Sequence, residues 1–328
     1  MPPLYLVTKR MPHHKTRAGY NQLVRHLDAD AVVTAPSGRL WRMAGAATRR
    51  LWKPFTRTAW YGAPSLVAEL ELALRARRAP GVVHVMYGED LLLATGRIDP
   101  RHKVIATFHQ PPERFDALVR TPRVWSQLDA VIVLDDHNEA VWSARVPRVF
   151  RLTLGVDVDY WRPGGARGRH VLTVGNHLRD FDLLLAAVAR RPDLEFDLVI
   201  PEAVGRRFAG YDHVRCHHDI SDASLLELFQ SAGVLFLPLR GGSASNTVLQ
   251  ALACGLGVVT SAYAGASTYL DDAVARFAPA GALDAHLDAL DAALADPVDP
   301  AIARARAETM SWAAVAERHR EVYAAVAR

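Results

Sequence analysis

Between residues 241 and 250 the chain reads Gly-Gly-Ser-Ala-Ser-Asn-Thr-Val-Leu-Gln. Two glycines and a run of small polar residues lead into an apolar pattern of helical spacing over 247–254. Unpaired N–H groups at such a helix start, together with the helix dipole, make a cradle for an anion. Gly241 and Gly242 let the backbone approach a ligand closely, and Ser243, Ser245, Asn246 and Thr247 add side-chain donors. The same residues also suit an ordinary cap on a core helix, with Ser245 or Asn246 at the N-cap. A bound anion needs counter-charge. The lysines, Lys9, Lys15, Lys53 and Lys103, all lie in the first third, so the second half must use arginine, histidine or backbone N–H groups. Arg179, after the glycine of Gly175-Asn176, and Arg240, before the Gly-Gly pair, are the candidates, since a guanidinium binds phosphate bidentately.

A second set of candidates lies in the first half. His109 follows a predicted strand, at the edge where ligands of α/β proteins bind. It either contacts a substrate or is a loop histidine held by Pro111 and Pro112. His84 lies near Tyr87-Gly88-Glu89-Asp90, where Glu89 or Asp90 can meet a second substrate. Gly19, before Tyr20, either admits substrate to the backbone or opens a helix over 20–27. His217-His218-Asp219 has the look of a metal cluster but no further ligand at suitable spacing, so a loop lining a ligand pocket is expected and no metal.

These residues need a frame. Short Val-, Ile- and Leu-rich runs at 4–7, 82–86, 104–107 and 130–134 read as buried strands of one unit, and those at 170–174, 195–200, 234–237, 257–260 and 274–277 as strands of another. Between them, apolar residues spaced three and four apart mark helices. Such alternation predicts an α/β protein of parallel sheets covered on both faces. Glycines and a proline punctuate 154–169, which marks the domain boundary. Pro297 and Pro300 break the pattern before two last helices, the final one from about Ser311.

The stretch 241–259 resembles the signature of glycosyltransferase family 4, the "glycosyl transferases group 1" type. Four other stretches fall in that family's order: Arg17-Ala-Gly-Tyr20, Thr107-Phe-His-Gln-Pro111, Leu154 to Pro163 with its Gly-Val-Asp, and Val171 to Arg179. The resemblance implies a GT-B fold, two Rossmann-like doubly wound domains facing across a cleft. Residues 1–153 form the acceptor side, 154–310 bind the nucleotide-sugar, and the helix 311–328 packs back on the first domain. It further implies a retaining, metal-independent glycosyltransferase. The donor is a nucleoside-diphosphate sugar, used as substrate and not as a cofactor, and the acceptor is a glycan, glycolipid or small molecule. By the same resemblance His109 is the active-site histidine, Gly19 and Tyr20 form the amino-terminal glycine loop, and Gly175 belongs to the phosphate loop. There are departures. Asn176 stands where the family has an arginine, and Gly242 where it has a glutamate on the sugar hydroxyls. Gln250 replaces a second glutamate, which usually holds the ribose; its amide can still bond a hydroxyl. The missing glutamate leaves a catalytically silent GT-B subunit as an alternative, and a sugar-nucleotide epimerase as another.

Composition sets further bounds. The 328 residues carry a net charge of only +4, and the two cysteines form no disulfide framework. No apolar run reaches the roughly 18 residues of a membrane span, and a cytoplasmic enzyme is expected. Residues 38–62 stand apart, with Arg39, Arg42, Arg49, Arg50, Lys53 and Arg57 interleaved with Leu, Met, Trp, Phe and Tyr and no acid. That mixture suits the surface of an anionic membrane, or a helix with aromatic core and solvated arginines. One short patch does not suit nucleic acid.

Overall fold

The computed structural model describes residues 2–10, 17–52, 61–91, 99–110, 126–242 and 244–328, without the side chains of 42 and 49–52. Two units divide the chain. One comprises Met1–His14, Gly19–Thr153 and Val315–Arg328, the other Lys15–Ala18 and Leu154–Ala314.

The first unit is built on a six-stranded parallel sheet in the order β2-β1-β3-β4-β5-β6. Its strands are β1 (Leu4–Thr8), β2 (Ala31–Thr34), β3 (Val82–Val85), β4 (Lys103–Phe108), β5 (Ala130–Val133) and β6 (Val149–Arg151). Helices α1 (Arg39–Trp52), α2 (Ala63–Ala76) and α3 (Asp136–Trp142) are among its connections. The central strands are apolar on both faces, as a sheet covered on both sides requires. Tyr20–His26 forms a 3-10 helix where an α-helix is expected from sequence.

The second sheet is also parallel and six-stranded, in the order β12-β11-β10-β7-β8-β9. It contains β7 (Val171–Val174), β8 (Phe196–Val199), β9 (Val214–His217), β10 (Val234–Leu237), β11 (Val258–Ser261) and β12 (Ala275–Ala278). Around it lie α4 (Phe181–Arg190), α5 (Glu202–Gly205), α6 (Asp222–Ser231), α7 (Asn246–Ala253), α8 (Leu283–Ala295) and α9 (Pro300–Glu308). Leu184, Val188, Phe196, Leu198, Phe236 and Leu290 are fully enclosed between helices and sheet. The last helix, α10 (Trp312–Ala327), starts with residues of the second unit and continues in the first.

Strand order reverses direction between β1 and β3 in the first sheet and between β7 and β10 in the second. At such switch points the loops leaving neighbouring strands run to opposite faces and open a crevice at the carboxyl ends. The candidates of the second half lie at the loops after β7 and β10, whereas in the first unit Gly19 follows β1, Glu89 and Asp90 follow β3, and His109 follows β4.

One helix in the second unit is unusually well held at its carboxyl end. The Arg304 guanidinium donates to Ala253 O at 3.0 Å, and to Val158 O and Trp161 O at 2.8 Å. Arg167 donates to Cys254 O, and to Phe229 O and Ala232 O at 3.3 and 3.2 Å. Two cations thus satisfy carbonyls that the end of α7 leaves without intrahelical partners. Removing one strands several half-buried acceptors. Arg304→Ala is expected to lower unfolding free energy by about 2–4 kcal/mol, because charged hydrogen bonds are lost and carbonyls remain unpaired. Urea denaturation of the variant measures this, and a midpoint equal to the parent's refutes it.

Candidate functional site

The amino end of α7 differs from its carboxyl end. Ser245 occupies the N-cap in an extended conformation (φ −129°, ψ 115°), yet its side chain makes no capping hydrogen bond. Charge is supplied from the β7 loop. Gly175 leaves β7 at φ +106°, and a Cβ there would lie 2.7 Å from Arg179 Nη2, so only glycine lets the guanidinium pass. Leu178 follows at φ +58°, an uncommon left-handed residue that turns the chain back. Arg179 then donates from Nε to Val174 O at 3.0 Å, from Nη1 to His177 O at 3.0 Å, and from Nη2 to Thr247 Oγ1 at 3.3 Å. Burial lowers its pKa to about 10, so it keeps its charge at neutral pH. The loops after β7 and β10 are zipped by Arg240 N–H to Leu178 O at 3.0 Å and Asp180 N–H to Pro238 O at 2.9 Å. A guanidinium is therefore fixed at the first turn of α7.

Gln250 lies one turn further along. It is 6% exposed, and among the described residues its side-chain amide finds no hydrogen-bond partner. Its amide therefore keeps both donor and acceptor capacity for a ligand group. Arg240 is different. Its side chain is more than half exposed and bound to Asp180 at 3.3 Å and to Asp182, so two carboxylates already balance it. Of the two arginines, only Arg179 belongs to the helix start. Asn176 is exposed on the β7 loop, Asn246 and Gly242 are half-buried, and Ser243 lies outside the described residues.

In the first unit the loops after the neighbouring strands β3 and β4 meet beside the switch point. Gly88 has the Phe108 ring 2.2 Å from where a Cβ would stand, and Phe108 stacks on Trp142. Glu89 then turns inward and accepts the backbone N–H groups of His109 and Gln110. Burial, opposed by those bonds, raises its pKa to about 7. Asp90 is paired with Lys9 at 2.6 Å, across from the end of β1. Glu89 and Asp90 are both buried. They shape the loop, where the sequence suggested direct substrate contact.

His109 lies with its ring on Tyr87, centroids 4.6 Å apart and planes at 24°, and with the edge of Tyr20 at 5.0 Å. Its Nε2 is 2.9 Å from Met86 O. A carbonyl only accepts, so Nε2 carries the hydrogen. Burial lowers the pKa to about 4, leaving the ring neutral with Nδ1 as a lone-pair acceptor. His109 can therefore accept from a hydroxyl through Nδ1.

His84 is a correction to the sequence reading. It is 0% exposed in the middle of β3, with Nδ1 at 2.7 Å from Tyr323 Oη and Nε2 at 2.7 Å from Thr107 Oγ1. Tyr20 is likewise interior, bonded to Thr107 and to His319 Nε2, so neither side chain offers a surface to substrate. The direction of every bond follows from one end. His319 Nδ1 must donate to Val315 O at 2.7 Å. Its neutral Nε2 then accepts from Tyr20, Tyr20 accepts from Thr107, Thr107 from His84 Nε2, and His84 Nδ1 from Tyr323. His319 and Tyr323 carried no signal in the sequence beyond their i, i+4 spacing on a helix, and Thr107 none beyond its place at the head of the stretch 107–111. Gly19 precedes this cluster at φ +99°, which allows the turn into Tyr20.

His217 and His218 are engaged by Asp197 and Ile200 O, both at 2.7 Å. Among the described residues no group of three or more His, Cys, Asp or Glu could hold a metal ion. Within 38–62, residues 53–60 and the side chains of Arg42, Arg49, Arg50, Leu51 and Trp52 lie outside the described residues. Leu40 and Met43 on α1 are 81% and 61% exposed, whereas Tyr61 is buried and bonded to Glu69.

Residues 168–296 match the family described as glycosyl transferases group 1. The D-inositol 3-phosphate glycosyltransferase of Kribbella flavida is 25% identical over 288 residues, covering 76% of this chain and 64% of that protein. The chain thus spans less than two thirds of that relative's length. Among solved structures, sucrose-phosphate synthase from Thermosynechococcus elongatus superposes with a TM-score of 0.74 at 16% identity, covering 98% of this chain and 99% of that one. Anabaena Alr3699/HepE in complex with UDP gives 0.72 at 12% identity over 98% and 100%. The fold is GT-B.

The buried imidazoles have a consequence for stability. His84, His109 and His319 all have pKa values lowered by burial, the last two to about 4. Their neutral forms stabilise the fold fully above the unfolded value near 6.5, and that stability is lost as pH falls from there toward 4. Glu89, raised to about 7, acts in the opposite direction between 7 and 4.5. Near pH 5.5 the unfolded chain binds more protons, and these four groups make unfolding free energy fall by about 2 kcal/mol per pH unit. Urea midpoints from pH 6.5 to 5 measure the slope. His319→Leu is expected to flatten it, and a slope unchanged in that variant refutes the assignment.

Proposed function

We propose that this chain is a glycosyltransferase that holds the diphosphate of a nucleotide-sugar donor at the start of α7. The observation that carries this reading is the pairing of an uncapped helix start with the charged Arg179 bonded to Thr247, one turn from the unpartnered amide of Gln250. Cleavage of the sugar–phosphate bond builds negative charge on the leaving diphosphate. Fixed N–H dipoles and a half-buried cation stabilise that charge without reorganising. Arginine and helix dipole fill the place of a metal. Gln250 is placed for a ribose hydroxyl. In the first unit His109 Nδ1 offers an acceptor to a substrate hydroxyl. Transfer with retention is the outcome consistent with the family resemblance, the acceptor being a glycan, glycolipid or small molecule.

UDP and UDP-glucose are the first ligands to test, since the similar Anabaena protein was solved with both. Arg179→Ala is expected to weaken nucleoside diphosphate binding by about 1.5–3 kcal/mol, the worth of its charged hydrogen bonds, while Arg240→Ala changes little. Calorimetry with UDP, GDP and ADP decides it. Equal affinity in parent and Arg179→Ala sinks the site. Tight binding with no sugar transfer from any donor favours the silent-subunit reading, for which the absence of an acid at Gly242 speaks.

Attachment to the cytoplasmic face of an anionic membrane is a further part of this reading. Leu40 and Met43 of α1, and Val67, Leu70 and Leu74 along one face of α2, are exposed apolar side chains. Exposed Arg39 stands beside the first pair and Arg75, Arg77 and Arg78 beside the second row. Exposed apolar residues with arginines near them in the chain, Arg75 of these being paired with Glu71, suit a charged lipid surface, where each basic residue adds about 1 kcal/mol. Co-sedimentation with phosphatidylglycerol vesicles is expected to fall with added salt and with Leu70→Ser plus Leu74→Ser. Equal sedimentation with neutral vesicles would falsify membrane attachment.

A further inference from the structure

The turn after β11 brings an aromatic hydroxyl to the candidate anion site. β11 ends at Ser261, whose Oγ accepts from Leu239 N–H at 2.8 Å and lies 2.9 Å from His286 Nε2. His286 Nδ1 donates to Ala282 O at 2.7 Å, so Nε2 is an acceptor and the Ser261 hydroxyl donates to it. The loops after β10 and β11 are thereby locked to each other. Beyond Ser261, Ala262 N–H donates to Ala278 O at 2.7 Å and Ala266 N–H to Tyr263 O at 3.2 Å, with Gly265 at φ +84° closing the turn. Tyr263 is held by backbone on both sides.

Its half-buried ring lies over Gly242. A Cβ on Gly242 would stand 3.0 Å from Tyr263 Cε2, 3.1 Å from Cδ2 and 3.3 Å from Cζ. A side chain at 242 would therefore press on the tyrosine ring, which would have to shift to admit it. The phenol is also within electrostatic reach of the Arg179 guanidinium, which in turn bonds Thr247. Aromatic hydroxyl, glycine, arginine and helix start form one contiguous patch within the second unit.

We propose that Tyr263 is the specificity-determining residue for the sugar of the donor, its hydroxyl bonding a sugar hydroxyl beside Gly242. This rests on the functional reading above. A diphosphate on the α7 start, with Arg179 against it, leaves the group on its outer phosphate among the polar atoms next to that start. Residues 239–247 contain no acid, so a carboxylate from that loop cannot take the sugar. The phenol oxygen can, since it keeps an acceptor lone pair whatever its hydrogen is donated to, and its ring offers an apolar face to the sugar C–H groups. Recognition by one neutral hydroxyl discriminates by the orientation of a single sugar hydroxyl, and it does not titrate in the acid range where a carboxylate would.

Calorimetry on the full chain with UDP, GDP and ADP, each compared with its glucose conjugate, tests this. Tyr263→Phe keeps the ring and the fold. It is expected to leave the Kd of the nucleoside diphosphate within twofold and to weaken the glucose conjugate at least fivefold. Gly242→Glu combined with Tyr263→Ala, which puts a carboxylate into the vacated space, is expected to recover conjugate affinity relative to Tyr263→Ala alone. Equal affinities in parent and Tyr263→Phe for both ligands overturn the proposal, and so does an equal loss for both, which makes the residue a scaffold of the phosphate site. Binding of no diphosphate by the parent chain overturns the functional reading and this inference with it.

Discussion

Helix α7 is satisfied at one end and open at the other, and the second unit is arranged around that asymmetry. Arg304 and Arg167 converge on the carbonyls at its carboxyl end, while the Ser245 side chain leaves its amino end uncapped. The helix dipole then has its negative pole neutralised by protein and its positive pole presented to the loops after β7 and β10. A third arginine, Arg179, is half-buried at that positive pole. Its charge there is unfavourable without an anion, and three hydrogen bonds to backbone and Thr247 hold it in place regardless. Gly175 is required by the same arrangement, since any Cβ would strike the guanidinium.

The first unit solves a different problem with the same sheet geometry. Its switch point is lined by aromatic rings and imidazoles, and burial keeps the imidazoles neutral. Each ring nitrogen then has a definite role, because a chain of bonds that ends on a carbonyl fixes every hydrogen upstream of it. The chain from Tyr323 to Val315 begins and ends on α10 and passes through β3, β4 and the 3-10 helix after Gly19. The last helix is thus tied to the residues that pack on His109. Glu89 adds a second restraint by gripping the backbone of His109 and Gln110. His109 is left with one nitrogen committed to Met86 O and one lone pair to offer.

Much of this was legible in the amino-acid sequence because burial leaves a periodic trace. Central strands such as Ala130–Val133 and Val234–Leu237 are apolar on both faces, so they stand out as uninterrupted runs. The α/β class and the helix after Ser245 follow from the same pattern. The edge strands β2, β6 and β9 left no such trace, because one flank is exposed and their residues are mixed.

Roles of individual side chains were decided only by tertiary structure. In sequence, His84 and His109 are equivalent histidines at strand ends, and Arg179 and Arg240 equivalent arginines beside glycines. Folding sends His84 into a closed network and leaves His109 one free acceptor; it surrounds Arg240 with Asp180 and Asp182 and fixes Arg179 at a helix start. Tyr263 and His319 reach their partners across 21 and 299 residues of chain, from Gly242 and Tyr20. Local pattern records whether a residue is buried, because burial follows the periodicity of its own element. It does not record which group from a distant element shares that burial, and for polar side chains the partner determines whether any bonding capacity remains for a ligand.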